Sequence, residues 1–483
     1  MTGGLLELVA KGSQDIFLTG NPSVTFFRGV YKKHTNFSME SVQQTLVGNY
    51  DFGETLYCNI SRSGDLLFGI VLEFDIPKMT GLATSRTQNW IDSIGHYIIE
   101  EVYIEVGGQI IDRQYGEWMD IWNELTISSE HYDGYSTMIG KNTNINEAKT
   151  LIVPLQFWFC KNIGLALPLI ALQYHEVKLF IKIADFNKLW HKSIERYNVS
   201  RSTSGLITLN INESSTDTDD FSSIDTEGER YDNMSIIWEN DEEENIIQSV
   251  NVGADPDELQ LKTGTYIAKT EENMYIILNK PDKTYSLTDV RMYCDYIYLD
   301  TAERKYFAQS EHSYLIEQVQ YNGINDYQKD TKSIKIPLEF NHPCKELIWV
   351  NKLNIVESMN QHNNFSDRIT TDTSANTNSL DEALLYLNGK ERFNKRKADY
   401  FRLLVPLQRH TRVPNSSYIY VYSFALNPEQ NQPSGTCNFS RLDNSELVVT
   451  MKDGLLTSKI KVYATNYNIL RIINGMGGLA YSN

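Results

Sequence analysis

Gly134 and the pair Gly140-Lys141 have the residue types of a phosphate-binding loop, whose backbone N–H groups cradle phosphates while the lysine reaches them. The spacing argues otherwise. Five residues separate the glycines where such a loop has four, and Asn142 stands where a Ser or Thr would hold magnesium. Gly475-Met476-Gly477-Gly478 follows a strand-like stretch but lies five residues from Asn483, which leaves no helix to seat a pyrophosphate. His175-Glu176 sets a base beside an acid, yet neighbours on a strand point to opposite faces. Asp241-Glu242-Glu243-Glu244 is a run of consecutive carboxylates without the spaced geometry of a calcium loop. No H-E-x-x-H or G-x-S-x-G occurs, and the nine histidines show no metal-ligand spacing. The expectation is a protein that is not an enzyme, with no catalytic, cofactor-binding or metal-binding residues and no cofactor.

The charge balance narrows the partners. Lys+Arg number 44 against 62 Asp+Glu, a formal charge of −18. Affinity for a nucleic-acid backbone comes from neutralising phosphates with Lys and Arg, so direct nucleic-acid binding is not expected. Arg392, Lys395, Arg396 and Lys397 form one basic cluster, which suits an interface or an acidic partner as well as it suits nucleic acid. Five cysteines lie far apart without a C-x-x-C and read as reduced thiols of a protein made in the cytosol. Met1-Thr2-Gly3-Gly4 has no basic n-region and no glycine at position 2, so neither a secretion signal nor myristoylation is expected. Eight Asn-x-Ser sequons, from Asn36 to Asn438, are then expected to stay unused by lumenal machinery. Residues 151–172 are long and apolar enough for a membrane span, but Pro154, Pro168 and Lys161-Asn162 make them two buried strands joined by a turn. Trp118, Trp122 and Trp190 would serve the exposed platform of a carbohydrate-binding β-sandwich; in a strand-rich chain they read as core.

The elements behind these residues are strands. Aromatics reach 11%, and apolar–polar alternation recurs in short stretches bounded by Gly, Pro, Asn or Asp. Eight strands are expected near residues 38–47, 55–61, 66–76, 97–111, 151–159, 166–172, 177–183 and 290–299. Eight more fall near 314–321, 333–338, 345–352, 383–392, 418–424, 436–442, 446–451 and 460–470. One unit recurs. Val102-Tyr103-Ile104-Glu105-Val106 ends in Gly107-Gly108, and Ala383-Leu384-Leu385-Tyr386-Leu387 ends in Asn388-Gly389, two turn pairs suited to positive φ. The fold expected is all-β: a double jelly roll of two eight-stranded antiparallel β-sandwiches in tandem, with few short helices. Residues 1–24 would form an arm, 25–303 the first jelly roll, 304–312 a linker helix, and 313–483 the second jelly roll; the best helical stretch is 301–310, which Asp300 can cap. An acidic insertion at 184–289 separates the last two strands of the first unit and contains strand-like pieces, so a small β subdomain is expected there.

The residues carrying the family signal run from residue 3 to about 442. They begin with Gly3-Gly4-Leu5-Leu6-Glu7-Leu8-Val9-Ala10-Lys11-Gly12-Ser13-Gln14-Asp15, Leu18-Thr19-Gly20-Asn21-Pro22 and His34-Thr35-Asn36-Phe37. Ala166-Leu167-Pro168-Leu169 and Tyr174-His175-Glu176-Val177 follow, then Asp295-Tyr296-Ile297-Tyr298-Leu299-Asp300. Phe340-Asn341-His342-Pro343 and Pro433-Ser434-Gly435 with Asn438-Phe439-Ser440-Arg441 complete the order. This set closely resembles the major capsid proteins of large icosahedral nucleocytoplasmic DNA viruses, the algal-virus and mimivirus-like type. The resemblance implies a double jelly roll, a pseudo-hexagonal homotrimer, and a virion capsid tiled from neighbouring capsomers around an internal membrane, made and assembled in the host cytoplasm. Minor capsid and penton proteins, and inner membrane-associated proteins met by the arm, are the expected further partners. The insertion is expected to face outward, for host surface contact or glycans. The alternatives are a minor capsid or non-virion assembly scaffold of the same fold, and the carbohydrate-binding β-sandwich.

Overall fold

The computed structural model describes residues 3–13, 15–23, 33–81, 88–141, 145–192, 280–329, 331–368 and 377–481, and six strands between 194 and 277. The first unit is built from β1 (Phe37–Gln44), β2 (Thr55–Asn59), β3 (Leu66–Ile76), β4 (Ile99–Val106), β5 (Gln109–Tyr115), β6 (Lys149–Pro154), β7 (Leu167–Pro168) and β8 (Val177–Ile183). The insertion contributes β9 (Ile194–Arg201), β10 (Leu206–Leu209), β11 (Ser235–Trp238), β12 (Asn245–Asn251), β13 (Glu258–Leu261) and β14 (Lys269–Ile277), and β15 (Asp289–Leu299) returns to the first unit. The second unit follows as β16 (His312–Tyr327), β17 (Ser333–Pro337), β18 (Pro343–Leu353), β19 (Leu380–Leu387), β20 (Lys390–Glu391) and β21 (Arg396–Lys397). It closes with β22 (Tyr420–Ser423), β23 (Cys437–Asn438), β24 (Ser445–Met451), β25 (Ser458–Ile473) and β26 (Met476–Leu479).

Alternation forms these strands. Along β3, Ile70, Leu72, Phe74 and Ile76 point into the core while Val71, Glu73 and Asp75 are partly exposed. The first unit pairs its strands in the orders β1-β15-β3-β6 and β2-β8-β4-β5; the second repeats this as β16-β25-β18-β22 and β17-β24-β19-β20. In both, the first strand pairs with the last long strand (β1 with β15, β16 with β25) and the second with the strand that precedes it in the unit (β2 with β8, β17 with β24). That is jelly-roll connectivity, twice in one chain. The turns repeat too: Gly107 and Gly108 join β4 to β5 at φ 60° and 83°, and Asn388 and Gly389 join β19 to β20 at φ 50° and 74°. The six strands of the insertion close into a barrel in the order β10-β13-β12-β11-β14-β9. Asp217, Asp219, Asp220 and the run Asp241–Glu244 lie outside the described residues, as do the sequons at Asn212 and Asn233.

Several expected strands differ in kind. Residues 97–111 are a hairpin, because the positive-φ glycines turn the chain back at residue 107. The stretch 151–159 leaves the sheet at Pro154, which cannot donate to a ladder, and runs into the helical turn Trp158–Lys161. Between β5 and β6 stand two eleven-residue helices, Gly116–Thr126 and Ser129–Ile139, where no helix was expected. A helical segment, Tyr400–Leu404 continuing into Val405–Arg409, occupies the corresponding connection of the second unit. At the N-terminus the helices Gly3–Val9 and Asp15–Thr19 leave Leu5, Leu6, Leu8, Val9, Ile16 and Leu18 more than half exposed. Among the described residues no helix is long and apolar enough to cross a membrane.

Candidate functional site

The helix Gly116–Thr126 carries two stripes. Trp118, Ile121, Trp122 and Leu125 recur at helical spacing and are buried against Ile348, Val350, Ile419, Val421 and Tyr463 of the second unit. Trp118 and Trp122 stack at 5.5 Å, and Trp118 meets the Tyr463 ring at 5.4 Å. Gly116 is required at the helix start because a Cβ there would lie 2.3 Å from the carbonyl oxygens of His96 and Ile99. The second stripe is Glu117, Asp120 and Glu124, three carboxylates facing the seam between the two jelly rolls.

Each of the three is met by cations. Glu117 Oε2 accepts from Lys461 Nζ at 2.7 Å and from Lys352 Nζ at 3.0 Å, both on the second unit. Burial alone would raise this carboxyl, but the two ammoniums outweigh it and hold it down at about 2. The lysines differ: burial pushes the almost fully enclosed Lys352 down, whereas Lys461, more exposed, is raised by the carboxylate. Asp120 is paired with Lys141 at 3.0 Å and lies 3.3 Å from the ring of His96, which burial keeps neutral. Glu124 is paired with Lys141 at 2.7 Å and reaches Arg412 of the second unit at 3.4 Å.

A second cluster lies at the other side of the same helix. Lys345, fully buried, donates to Glu317 at 2.6 Å and to the Pro428 carbonyl at 2.6 Å. Lys161 of the first unit sits 3.7 Å from Glu317 and 4.2 Å above the Trp122 ring. His410 lies between Glu346 and Glu429, at 3.1 Å from each. Burial opposes its charge, yet the two carboxylates raise it to about 9. Nearby, burial lifts the Asp112 carboxyl to about 7, although it accepts from the Val319 amide at 3.1 Å across the seam. Buried pairs of this kind fix geometry more than they add stability, because desolvation offsets most of the attraction.

Asp120, His96 and Tyr135 stand in the order of a nucleophilic triad, with His96 Nε2 2.7 Å from the Tyr135 hydroxyl. His96 is completely buried, and Asn123 Nδ2 contacts both that nitrogen, at 3.1 Å, and the hydroxyl, at 2.6 Å. Burial raises the phenol further from reactivity. Asp120 lines a cavity together with Glu124, Tyr132 and Lys141, but neither His96 nor Tyr135 lines it, so the group does not converge on one cleft.

The residues singled out by spacing find structural roles. Gly140 ends its helix at φ 74°, and Lys141 turns inward to the carboxylates, so the glycine–lysine pair serves a C-cap and an ion pair. His175 Nδ1 lies 2.9 Å from the carbonyl oxygen of Gly477, joining the first unit to the glycine-rich turn, whereas Glu176 is largely exposed beside Lys178. Trp118, Trp122 and Trp190 are at most 5% exposed, so none offers a platform. Lys395 and Lys397 pair with Glu382 and Asp381, and Arg392 and Arg396 lie over Tyr422 and Tyr400. The seam carboxylates were missed in the sequence. Their signal was there: acidic residues at 117, 120 and 124 interleaved with apolar ones at 118, 121, 122 and 125, a period of 3.6 inside a chain otherwise read at period 2.

Comparison with known proteins adds a family to this geometry. Residues 25–226 match the family described as major capsid protein N-terminus, and residues 303–478 match the family described as large eukaryotic DNA virus major capsid protein. The chain is similar to the major capsid protein of Pyramimonas orientalis virus, at 38% identity over the full length of both chains. It is similar also to that of Phaeocystis pouchetii virus, at 35% identity with both chains wholly covered. Among solved structures it is similar to a chain of the PBCV-1 virus capsid, with a TM-score of 0.66 and 30% identity over 95% of this chain and all of that one.

Proposed function

The chain belongs to the family of major capsid proteins of large eukaryotic DNA viruses, and we propose that three copies of it form one pseudo-hexagonal capsomer. It is a structural subunit of the virion capsid, with a double jelly-roll fold. The observation that carries the capsomer reading is the repeated connectivity: two similar sandwiches per chain give three chains six similar corners. The charged seam fits this role, since a shell tile needs its two sandwiches at a constant angle. On this reading the chain divides into an arm at 1–24, jelly rolls at 25–303 and 313–483 and a linker at 304–312, which takes in most of the helix Thr301–Gln309, with no catalytic, cofactor or metal residues. Its partners are neighbouring capsomers, minor capsid and penton proteins. The exposed apolar side of Gly3–Val9 is the surface offered to inner proteins, and the barrel at 194–277 the surface offered outward, to host or glycan. Assembly takes place in the host cytoplasm. Imaging the purified protein by negative stain tests the reading: hexagonal outlines of uniform size are expected, and particles with a single double-sandwich outline would overturn it. Abundance in purified virions separates the major shell role from a scaffold, which would be missing from mature particles.

A further inference from the structure

Cys344 and Cys437 are direct partners across the antiparallel pair of β18 and β23. Directly opposed residues in such a pair stand about 4.5–5.5 Å apart at Cα with side chains on one face, inside the roughly 4.4–6.8 Å range of disulfides. The two thiols are free. We propose that Cys344 and Cys437 are an oxidisable pair that closes into a disulfide when the protein passes from a reducing to an oxidising medium.

The surroundings set the order of events. Cys344 is fully buried, and its thiol lies 3.5 Å and 3.7 Å from the carbonyl oxygens of Asn341 and His342. Cys437 is half-buried, so a small oxidant reaches it first. Burial raises the Cys437 thiol, and the Arg392 guanidinium draws it part of the way back, giving that member of the basic cluster a chemical role. With a low-molecular-weight disulfide as oxidant, the Cys437 thiolate attacks one of its sulfurs. The first small thiol leaves and a mixed disulfide remains. Cys344 loses its proton and attacks the Cys437 sulfur, and the second small thiol leaves. Two protein thiols are oxidised and one small disulfide is reduced to two thiols.

The bond would close the excursion between β22 and β23, residues 424–436, both strands lying along β18. That loop supplies Glu429 to His410, the Pro428 carbonyl to Lys345 and the Asn431 carbonyl to the Tyr467 hydroxyl. A covalent tie at its end holds the loop against the seam, and the long chain segment between the two cysteines makes the loss of unfolded-state freedom large. The consequence for a released particle rests on the capsid reading; the chemistry rests on the strand pair alone and is tested apart from it.

The experiment uses the full chain. Purified protein is incubated with oxidised or with reduced glutathione at pH 8, blocked with N-ethylmaleimide in denaturant, digested and examined by mass spectrometry. A peptide linking Cys344 to Cys437 is expected only in the oxidised sample, with a melting temperature raised by several degrees. In Cys437→Ser both the link and the rise should vanish. In Cys344→Ala a stable glutathione adduct should collect on Cys437. Recovery of both cysteines as maleimide adducts after oxidation, or an adduct on Cys437 without the link in the unsubstituted chain, would overturn the pairing. A link without any rise in melting temperature would overturn the stapling role.

Discussion

Glu117 and Lys461 are 344 positions apart and meet at 2.7 Å, the shortest of three ion pairs, among the described residues, by which the helix Gly116–Thr126 of the first jelly roll holds the second. Removing the carboxylate leaves two enclosed ammoniums without their counter-charge. Glu117→Gln should therefore lower stability by about 3–5 kcal/mol, measured by chemical denaturation, whereas replacing Glu117, Lys352 and Lys461 together with apolar residues of similar volume should recover most of the loss. The carboxyl is depressed to about 2, so its contribution is present above its ordinary value near 4.5 and is lost as pH falls through about 2.

His410 works in the opposite sense. It faces Glu346 and Glu429, the Trp122 ring meets it edge-on, and its value is raised to about 9. Stability from this group is complete below the ordinary value near 6.5 and is lost as pH rises through about 9. Melting temperature should fall across that window, and His410→Gln should flatten the fall.

Two glycines separate packing from chain stiffness. Gly116→Ala puts a methyl 2.3 Å from two carbonyl oxygens and should destabilise the seam helix by about 1–3 kcal/mol. At Gly134, inside the helix Ser129–Ile139, nothing stands within 4 Å of a Cβ, and Gly134→Ala should raise stability by about 0.5–1 kcal/mol. Paired thermal melts distinguish the two; the same sign at both sites would contradict the packing described.

The barrel should be separable, but not the whole insertion. Tyr285 and Leu287 belong to the core of the first unit, and the Tyr285 hydroxyl lies 2.7 Å from that of Thr80. Replacing residues 194–277 by a short Gly/Ser linker should keep the protein folded and soluble, with the same number of copies per particle as the full chain. Extending the deletion through Leu287 should expose core and cost solubility, read by size-exclusion chromatography.

How much of this was legible follows from which period dominates. Strands such as Val177–Ile183 stand where alternation placed them, because burying one sheet face writes itself into every second residue. The double connectivity was visible through Gly107-Gly108 and Asn388-Gly389, since positive φ restricts residue choice. The seam was not visible. Lys345, Lys352 and Lys461 sit in strands where lysine normally faces water, and a sequence does not say that a partner carboxylate lies 28, 235 or 344 positions away. The cysteine pair was hidden for the same reason, its register being set by strands 93 positions apart.

The central claim is a tile made of three chains. Light scattering on the full-length protein at micromolar concentration and neutral pH measures it directly. Three times the 55.5 kDa chain mass is expected, with no monomer on dilution through that range. A mass of one chain would contradict it.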